Sequence, residues 1–247
     1  MVLPTSSRHS TPANDPSPLI TVPNGRGGPQ QIPRPADVRL GGPPPWNHLP
    51  ESDRHVDLGV LSERLARYEP AFADRGLPGT GKTSAVLVPL FVDHGEPTVL
   101  LTRRSPMLRA HTHEVSFPGG RHDDTDVDHI DTALREAEEE VSLDRSSVTV
   151  VGALDWFVTG GSGSLVRPYV GMLDGPPQNL VPNPGEVEAI LPVTLRELLL
   201  DEVWREEIWV RDGQAMPVTF FELYGDTVWG ATGNMLRQLL TMATDPG

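Results

Sequence analysis

Nine carboxylates, Asp123, Asp124, Asp126, Asp128, Asp131, Glu136, Glu138, Glu139 and Glu140, stand within eighteen residues against the single Arg135, so −8 of the chain's −14 is concentrated there. Leu134, Ala137 and Val141 recur at i, i+3 and i+7 and predict a helix with one apolar stripe. Glu136, Glu139 and Glu140, at i, i+3 and i+4, crowd a different face. Glu136 and Glu140 form a like-charge pair that weakens a helix by a few tenths of a kcal/mol. Carboxylates in the last turn also oppose the helix dipole. A divalent cation held by carboxylate oxygens answers both conflicts. Local rules broken together tend to mark a functional site. A solvated acidic face is the simpler reading of such a run, but it gives no purpose to the adjoining Gly119-Gly120 turn or to the Arg135–Glu139 spacing.

Just upstream the sign of the charge reverses. Across 100–122, Arg103, Arg104, Arg109 and Arg121 oppose only Glu114, with His111, His113 and His122 interleaved. A cationic patch beside an anionic helix is the pairing needed to bring a polyphosphate to a carboxylate-bound metal: arginines for phosphate, carboxylates for the cation.

The two stretches together resemble a known family. FPGG at 117–120, followed by Arg135, Glu136, Glu139 and Glu140, resembles the Nudix box, G-x5-E-x7-R-E-U-x-E-E-x-G-U with U aliphatic. The spacer from Gly120 to Arg135 is one residue longer than the general box, Asp126 stands at the upstream Glu position, and Ser142 replaces the Gly after the glutamate pair. LLTRRSPMLRAHTHEVSFPGG at 100–120 resembles the additional motif of the coenzyme A diphosphatase branch. Leu100, Leu101, Thr102, Arg104, Ser105, Arg109, Val115 and 117–120 match it, whereas His113 stands where that branch has Gly. The longer spacer with TALREA and the later WGAT are similar to the same branch.

The resemblance implies hydrolysis of the diphosphate of coenzyme A or an acyl-coenzyme A to 3′,5′-ADP and 4′-phosphopantetheine. Glu136, Glu139 and Glu140 would hold Mg²⁺ or Mn²⁺, hard cations suited to oxygen donors. Glu139 would serve as general base or ligand, and Arg135 would orient the carboxylates. Arg104 and Arg109, with the Gly119-Gly120 turn, would take the substrate. Glu114 and Glu186 are further base candidates, each more often a surface carboxylate. A Nudix enzyme acting on ADP-ribose or another nucleoside diphosphate is the alternative within the family. A silent ligand-binding module on the same fold is opposed by the intact glutamates. A third class comes from GLPGTGKT at 76–83, which satisfies the phosphate-cradling G-x-x-x-x-G-K-[ST] pattern around Lys82. That pattern needs a buried strand before it and a helix after it. Upstream lies charged, Pro-broken ARYEPAFADR and downstream β-branched SAVLVPLFV, so a Gly/Pro-rich linker is the better reading.

The elements that must position these groups follow from pattern. DLGVLSERLARYEP (57–70) predicts a helix through Leu58, Leu61, Leu65 and Tyr68. Residues 85–104 predict a hairpin turning at DHGEP, with Pro89 placing its first strand near an edge. SVTVVGALDWFVT and SLVRPYVGML predict strands joined by GGSGS, while 175–188 is a loop. Thr194 and Glu197 form a capping box for LRELLL, Asp212-Gly213 turns a hairpin, and 227–243 predicts an amphipathic closing helix. Strands, an acidic helix, more strands and a terminal helix predict an α/β/α sandwich around a mixed sheet, the Nudix-type fold that the resemblance implies.

Residues 1–50 hold twelve of the 26 prolines and little periodic apolar pattern, predicting a disordered Pro-rich tail before a domain over 51–247 with its core about 84–245. Trp46 and Leu49 are the residues there that could pack onto the domain. Zero cysteines exclude disulfides, thiolate metal sites and cysteine nucleophiles. The absence of a long apolar run or signal-peptide core predicts a cytoplasmic protein without a membrane partner. The net charge of −14 argues against a nucleic-acid surface. The expected partner is a small nucleoside diphosphate derivative.

Overall fold

The computed structural model describes residues 25–73, 79–108, 111–160, 162–211 and 213–245. A strand, β1 (Val38–Leu40), and a helix, α1 (Leu58–Arg67), precede the long hairpin of β2 (Thr83–Asp93) and β3 (Glu96–Arg104). Asp57 caps α1, its carboxylate accepting from the N–H groups of Gly59 and Val60. The hairpin turns through His94 and Gly95, both at positive φ (49° and 86°), the geometry a two-residue turn needs to match strand twist.

Short strands β4 (Val115–Ser116) and β5 (Gly119–Arg121) lead into the acidic helix, α2 (His129–Val141). They are followed by β6 (Thr149–Ala153), β7 (Phe157–Val158), β8 (Leu165–Met172) and β9 (Val187–Thr194). These strands form one mixed sheet whose main path runs β4-β3-β2-β8-β6, with β5 on β2, β7 on β8 and β9 on β3. The β2–β8 pairing is parallel and the others antiparallel.

After the one-turn α3 (Leu195–Leu198) come β10 (Trp204–Arg211), β11 (Gln214–Leu223) and β12 (Asp226–Trp229), which with β1 make a second, antiparallel sheet. The chain closes with α4 (Gly230–Thr244).

Strand β2 explains the layering. Ala85, Leu87 and Phe91 point to the face covered by α2, where Ala133, Ala137 and Val141 meet them. Val88 and Leu90 point to the other face, into a core with Leu61 and Leu65 of α1, Leu236 and Leu239 of α4, and Phe221 of the second sheet. A strand buried on both faces reads as a continuous apolar run rather than an alternation. The fold is thus a mixed α/β sandwich with helices on both faces of the sheet.

Several sequence expectations change. β2 is central, not at an edge. On one side its partners switch from β5 at Ser84–Val86 to β3 at Leu90–Asp93, and Pro89 falls in the gap, where a missing N–H costs no ladder bond. Strand β9, inside a stretch whose start read as loop, carries Pro192 opposite Leu100 of β3. Thr227–Trp229 belongs to β12, so the closing helix starts at Gly230. Thr194 caps α3 by accepting from the Glu197 N–H at 3.2 Å, but the Glu197 carboxylate turns to Arg26 instead of closing the box. Asp212 of the predicted turn lies outside the described residues.

Residues 25–50, expected as part of the disordered Pro-rich tail, are ordered instead, and residues 1–24 of that tail lie outside the described residues. Residues 25–50 lie on the second sheet, with β1 paired to β10 and Trp46 fully buried against Trp204 and Phe221. No periodicity announces this segment because it is held by ion pairs to distant residues and by one aromatic anchor. Among the described residues no helix is long and apolar enough to cross a membrane.

Candidate active site

The acidic helix is built as its sequence demands at both ends. Asp128 caps it by accepting from the Asp131 N–H at 2.8 Å. Ser142 ends it at φ 57°, ψ 34°, taking the left-handed conformation that Gly usually supplies. The FPGG turn is pressed against the helix flank. The Gly119 N–H lies 3.4 Å from Glu140 Oε2. A Cβ at Gly120 would stand 2.4 Å from the Glu136 carboxylate, and one at Gly119 would stand 2.5 Å from the Ala85 carbonyl oxygen. Close approach of backbone requires glycine at Gly119, whereas a side chain at Gly120 would displace the Glu136 carboxylate.

Three glutamates on one helix therefore meet three environments. Glu140 is 3% exposed, and burial pushes its carboxyl up to about 8, against a pull downward from Arg104; Glu136 and Glu186 push it the same way as burial. Glu136 is half-buried and raised for the same first reason, with Arg135 opposing. Glu139 is exposed and its carboxylate accepts from Arg135 Nη1 at 3.1 Å. Glu136 and Glu140 form the sheltered pair, while Glu139 is exposed but still acts electrostatically on Glu136. Glu186, which the sequence offered only as a minor candidate, acts electrostatically on both members of that pair. Its loop is tied there by the Asn183 N–H to Glu140 O (2.8 Å) and the Ser105 N–H to Glu186 O (2.8 Å).

Arg135 and Asp126 brace the helix. Arg135 Nε and Nη2 donate to Asp126 at 2.7 and 3.0 Å, while Nη1 reaches both Glu136 and Glu139 at 3.1 Å. The Asp126 side chain is buried, and this guanidinium holds its carboxyl far below the ordinary range. Asp126, at the position of the motif's upstream Glu, thus serves here as Arg135's anchor.

The cationic patch does not survive as a unit. Arg103 is spent on Asp226, to which it donates twice (2.8 and 2.7 Å), joining β3 to β12. Arg121 is exposed. His111 pairs with Glu114, His113 with Glu188, and His122 with Thr132, at 2.9, 2.9 and 2.8 Å. Arg104 remains, with its Nε buried and without a hydrogen-bond partner among the described residues. Arg109 lies outside the described residues. His113, where the motif has Gly, adopts φ 59°, and its Nδ1 lies 2.9 Å from a Glu188 carboxylate oxygen.

Arg104, Glu114 and Gly119 also border a cavity of about 1100 Å³ between the two sheets, walled in part by Phe157, Trp209 and Met216. Sequence reasoning missed this chamber, because its walls come from strands over a hundred residues apart and no local motif joins them.

The comparisons with known proteins agree with the geometry. The NUDIX domain model matches residues 81–215. The chain belongs to the Nudix family. A relative in Photorhabdus laumondii, the uncharacterized Nudix hydrolase NudL, is 41% identical over 163 residues, which is 66% of this chain and 86% of that protein. Nudix hydrolase 22 of Arabidopsis thaliana, a chloroplastic protein, is 43% identical over 65% of this chain, which spans about half (55%) of that protein's length. A crystal structure of a MutT/nudix family protein from Enterococcus faecalis overlays 76% of this chain and 70% of its own at 13% identity, with a TM-score of 0.41, too loose to add weight. This protein is a Nudix hydrolase.

The phosphate-loop pattern finds no such support. Lys82 is exposed, its carbonyl accepts from the Leu165 N–H, and a strand rather than a helix follows at Thr83; residues 76–78 lie outside the described residues. With no helix N-terminus after Lys82, Lys82→Ala is expected to leave kcat/KM for diphosphate hydrolysis within about twofold of the parent. Steady-state kinetics with and without ATP checks this, and a collapse of activity would restore the rival reading.

Proposed function

We propose that this Nudix hydrolase cleaves the diphosphate of coenzyme A or an acyl-coenzyme A, releasing 3′,5′-ADP and a 4′-phosphopantetheine. The observation that carries the reading is a buried carboxylate, Glu140, beside Glu136 and the FPGG turn, with Arg104 adjacent and the chamber opening at the same place. The match of Arg104, Ser105 and 117–120 to the coenzyme A motif supports the substrate.

A divalent cation fits these donors. Buried carboxylates that repel one another are relieved by a hard cation with oxygen ligands, and Mg²⁺ and Mn²⁺ are the suitable ions. Glu136 and Glu140 would hold it, with Glu139 or Glu186 completing the set by side-chain rotation; among the described residues no three such groups are already drawn together. When bound, the ion supplies charge neutralisation at the diphosphate and a more acidic water.

The chain's own residues do the rest. Arg104 donates to phosphate oxygens, and Arg109 is proposed to do the same. Gly119 and Gly120 let the turn lie against the Glu136 and Glu140 carboxylates, which sets the edge of the substrate's diphosphate site. Arg135 keeps Glu136 and Glu139 aimed. Glu139 or Glu186 accepts the proton of the attacking water.

Product analysis tests the reading. Incubation with coenzyme A, an acyl-coenzyme A and ADP-ribose, each with and without Mg²⁺ or Mn²⁺, should give 3′,5′-ADP only with metal. AMP from ADP-ribose with no cleavage of either coenzyme A form would sink it and favour the family alternative.

A further inference from the structure

Residues 25–40 lie outside the span of the family match, yet they strap across the second sheet and reach the chamber. The Gly27 N–H donates to the Leu223 carbonyl at 2.6 Å, and β1 extends the sheet at β10. Between these anchors Arg34 Nε donates to both oxygens of the fully buried Glu207 carboxylate at 3.0 and 3.1 Å. Its guanidinium lies 5.4 Å from the centre of the Phe220 ring. Arg26 adds a second tie, to Glu197 at 2.6 Å and to Glu202. Ile32 and Val38 pack on Trp209, Val218 and Phe220. Pro33, held between them, forms part of the chamber wall together with Trp209 and Met216.

The chamber begins at Arg104 and Gly119, so a substrate whose diphosphate lies at the carboxylates sends one of its two arms inside. Phe117, Phe157, Val166, Trp209, Met216 and Trp229 give it a largely apolar wall. Such a wall rewards an apolar arm for leaving water, while a charged or sugar arm would have to reach the fewer polar groups there, such as Gln214, Asn234 and Arg237. Pro33 is an exposed residue at this wall, between Ile32, which packs on Trp209, and Arg34, which pairs with Glu207.

We propose that the strap is a specificity element: Pro33, positioned by the Arg34–Glu207 pair, selects the acyl arm of the substrate. The inference rests on the substrate reading above and adds the residues that discriminate among its acyl forms. Arg34 is a positioning residue, acting through Pro33 rather than on the substrate.

The test uses the full chain, Arg34→Met and Pro33→Trp. Arg34→Met keeps an apolar stem against Phe220, and Glu207 keeps Arg205 and the Trp209 Nε1–H as partners, so the sheet retains its buried charge compensation. Two readouts are compared: kcat and KM for acetyl-, octanoyl- and free coenzyme A, and the Kd of octanoyl-pantetheine, which carries the arm without the diphosphate, by tryptophan fluorescence. The expected result for Arg34→Met is a KM for octanoyl-coenzyme A raised about tenfold, the worth of roughly two buried methylenes, with kcat and the KM for free coenzyme A unchanged. Pro33→Trp should exclude the octanoyl forms while leaving free coenzyme A a substrate.

Equal effects on all three substrates, no effect on any, or a parent that does not bind octanoyl-pantetheine would each overturn the strap's role. If the parent binds octanoyl-pantetheine in a strap-dependent way but cleaves no coenzyme A form, the substrate reading fails while the strap stands.

Discussion

Glu140→Gln should abolish hydrolysis while making the metal-free protein more stable in alkali. As the proposed cation ligand at the diphosphate, Glu140 is worth several kcal/mol of transition-state stabilisation, so a fall of about a thousandfold or more is expected on its removal. The gain in stability follows from the same burial. The Glu140 carboxyl rises from an ordinary 4.5 to about 8 because the folded chain desolvates it. Between those values the folded state keeps a proton that the unfolded state has released, so stability falls as pH rises through this window. Glutamine carries no such penalty. Thermal unfolding in a chelator should therefore show the variant above the parent at pH 9 by about 5 kcal/mol, with little difference at pH 4. Added Mn²⁺ should stabilise the parent and not the variant. A variant that hydrolyses at the parental rate, or a chelated parent that gains stability from pH 5 to 9, would remove the central claim.

The second large effect lies behind the first. Arg135→Met should strand the Asp126 carboxylate in a buried position, where, among the described residues, it keeps Thr132 Oγ1 and the Asp123 N–H as hydrogen-bond donors and His122 Nδ1 at 3.6 Å. Breaking such a pair from one side costs about 3–5 kcal/mol, and urea unfolding at pH 7 measures it. The Asp126 carboxyl is held well below its ordinary 3.8 by Arg135 first of all. Its contribution is thus complete above pH 3.8 and is lost as the pH drops toward its depressed value. The double variant Arg135→Met with Asp126→Asn should recover most of the stability at pH 7. It should not recover the rate, because Glu136 and Glu139 remain without their guanidinium. Recovery of both would mean that Arg135 serves the fold alone, and loss of neither in the single variant would mean that the brace is idle.

How much of this could be read in advance depended on whether the cause was local. The helix over His129–Val141, its apolar stripe and its crowded carboxylates follow from spacings of three and four residues. The β2–β3 hairpin follows from a Gly beside a residue that tolerates positive φ. The Nudix box was legible because its parts sit within 27 residues of chain, 117–143. Pro89 misled because a strand's place in a sheet is decided by its neighbours, and here the neighbours happen to part at that residue. The arginine patch misled because charge density in sequence does not say which partner each side chain meets. Asp226 comes from over a hundred residues away to claim Arg103.

What the chain's own letters determined is the family: the Gly119-Gly120 turn followed by Arg135, Glu136, Glu139 and Glu140 on one helix is the pattern that the NUDIX domain match covers, and the proposed cation chemistry builds on it. What only the tertiary structure decided is the division of labour. Glu136, Glu139 and Glu140 are the same residue type on one helix, and α2 packs so that Glu140 faces the sheet and the FPGG turn while Glu139 faces water. The chamber and its strap belong wholly to that second level, because an apolar cavity exists only where strands distant in sequence are brought face to face.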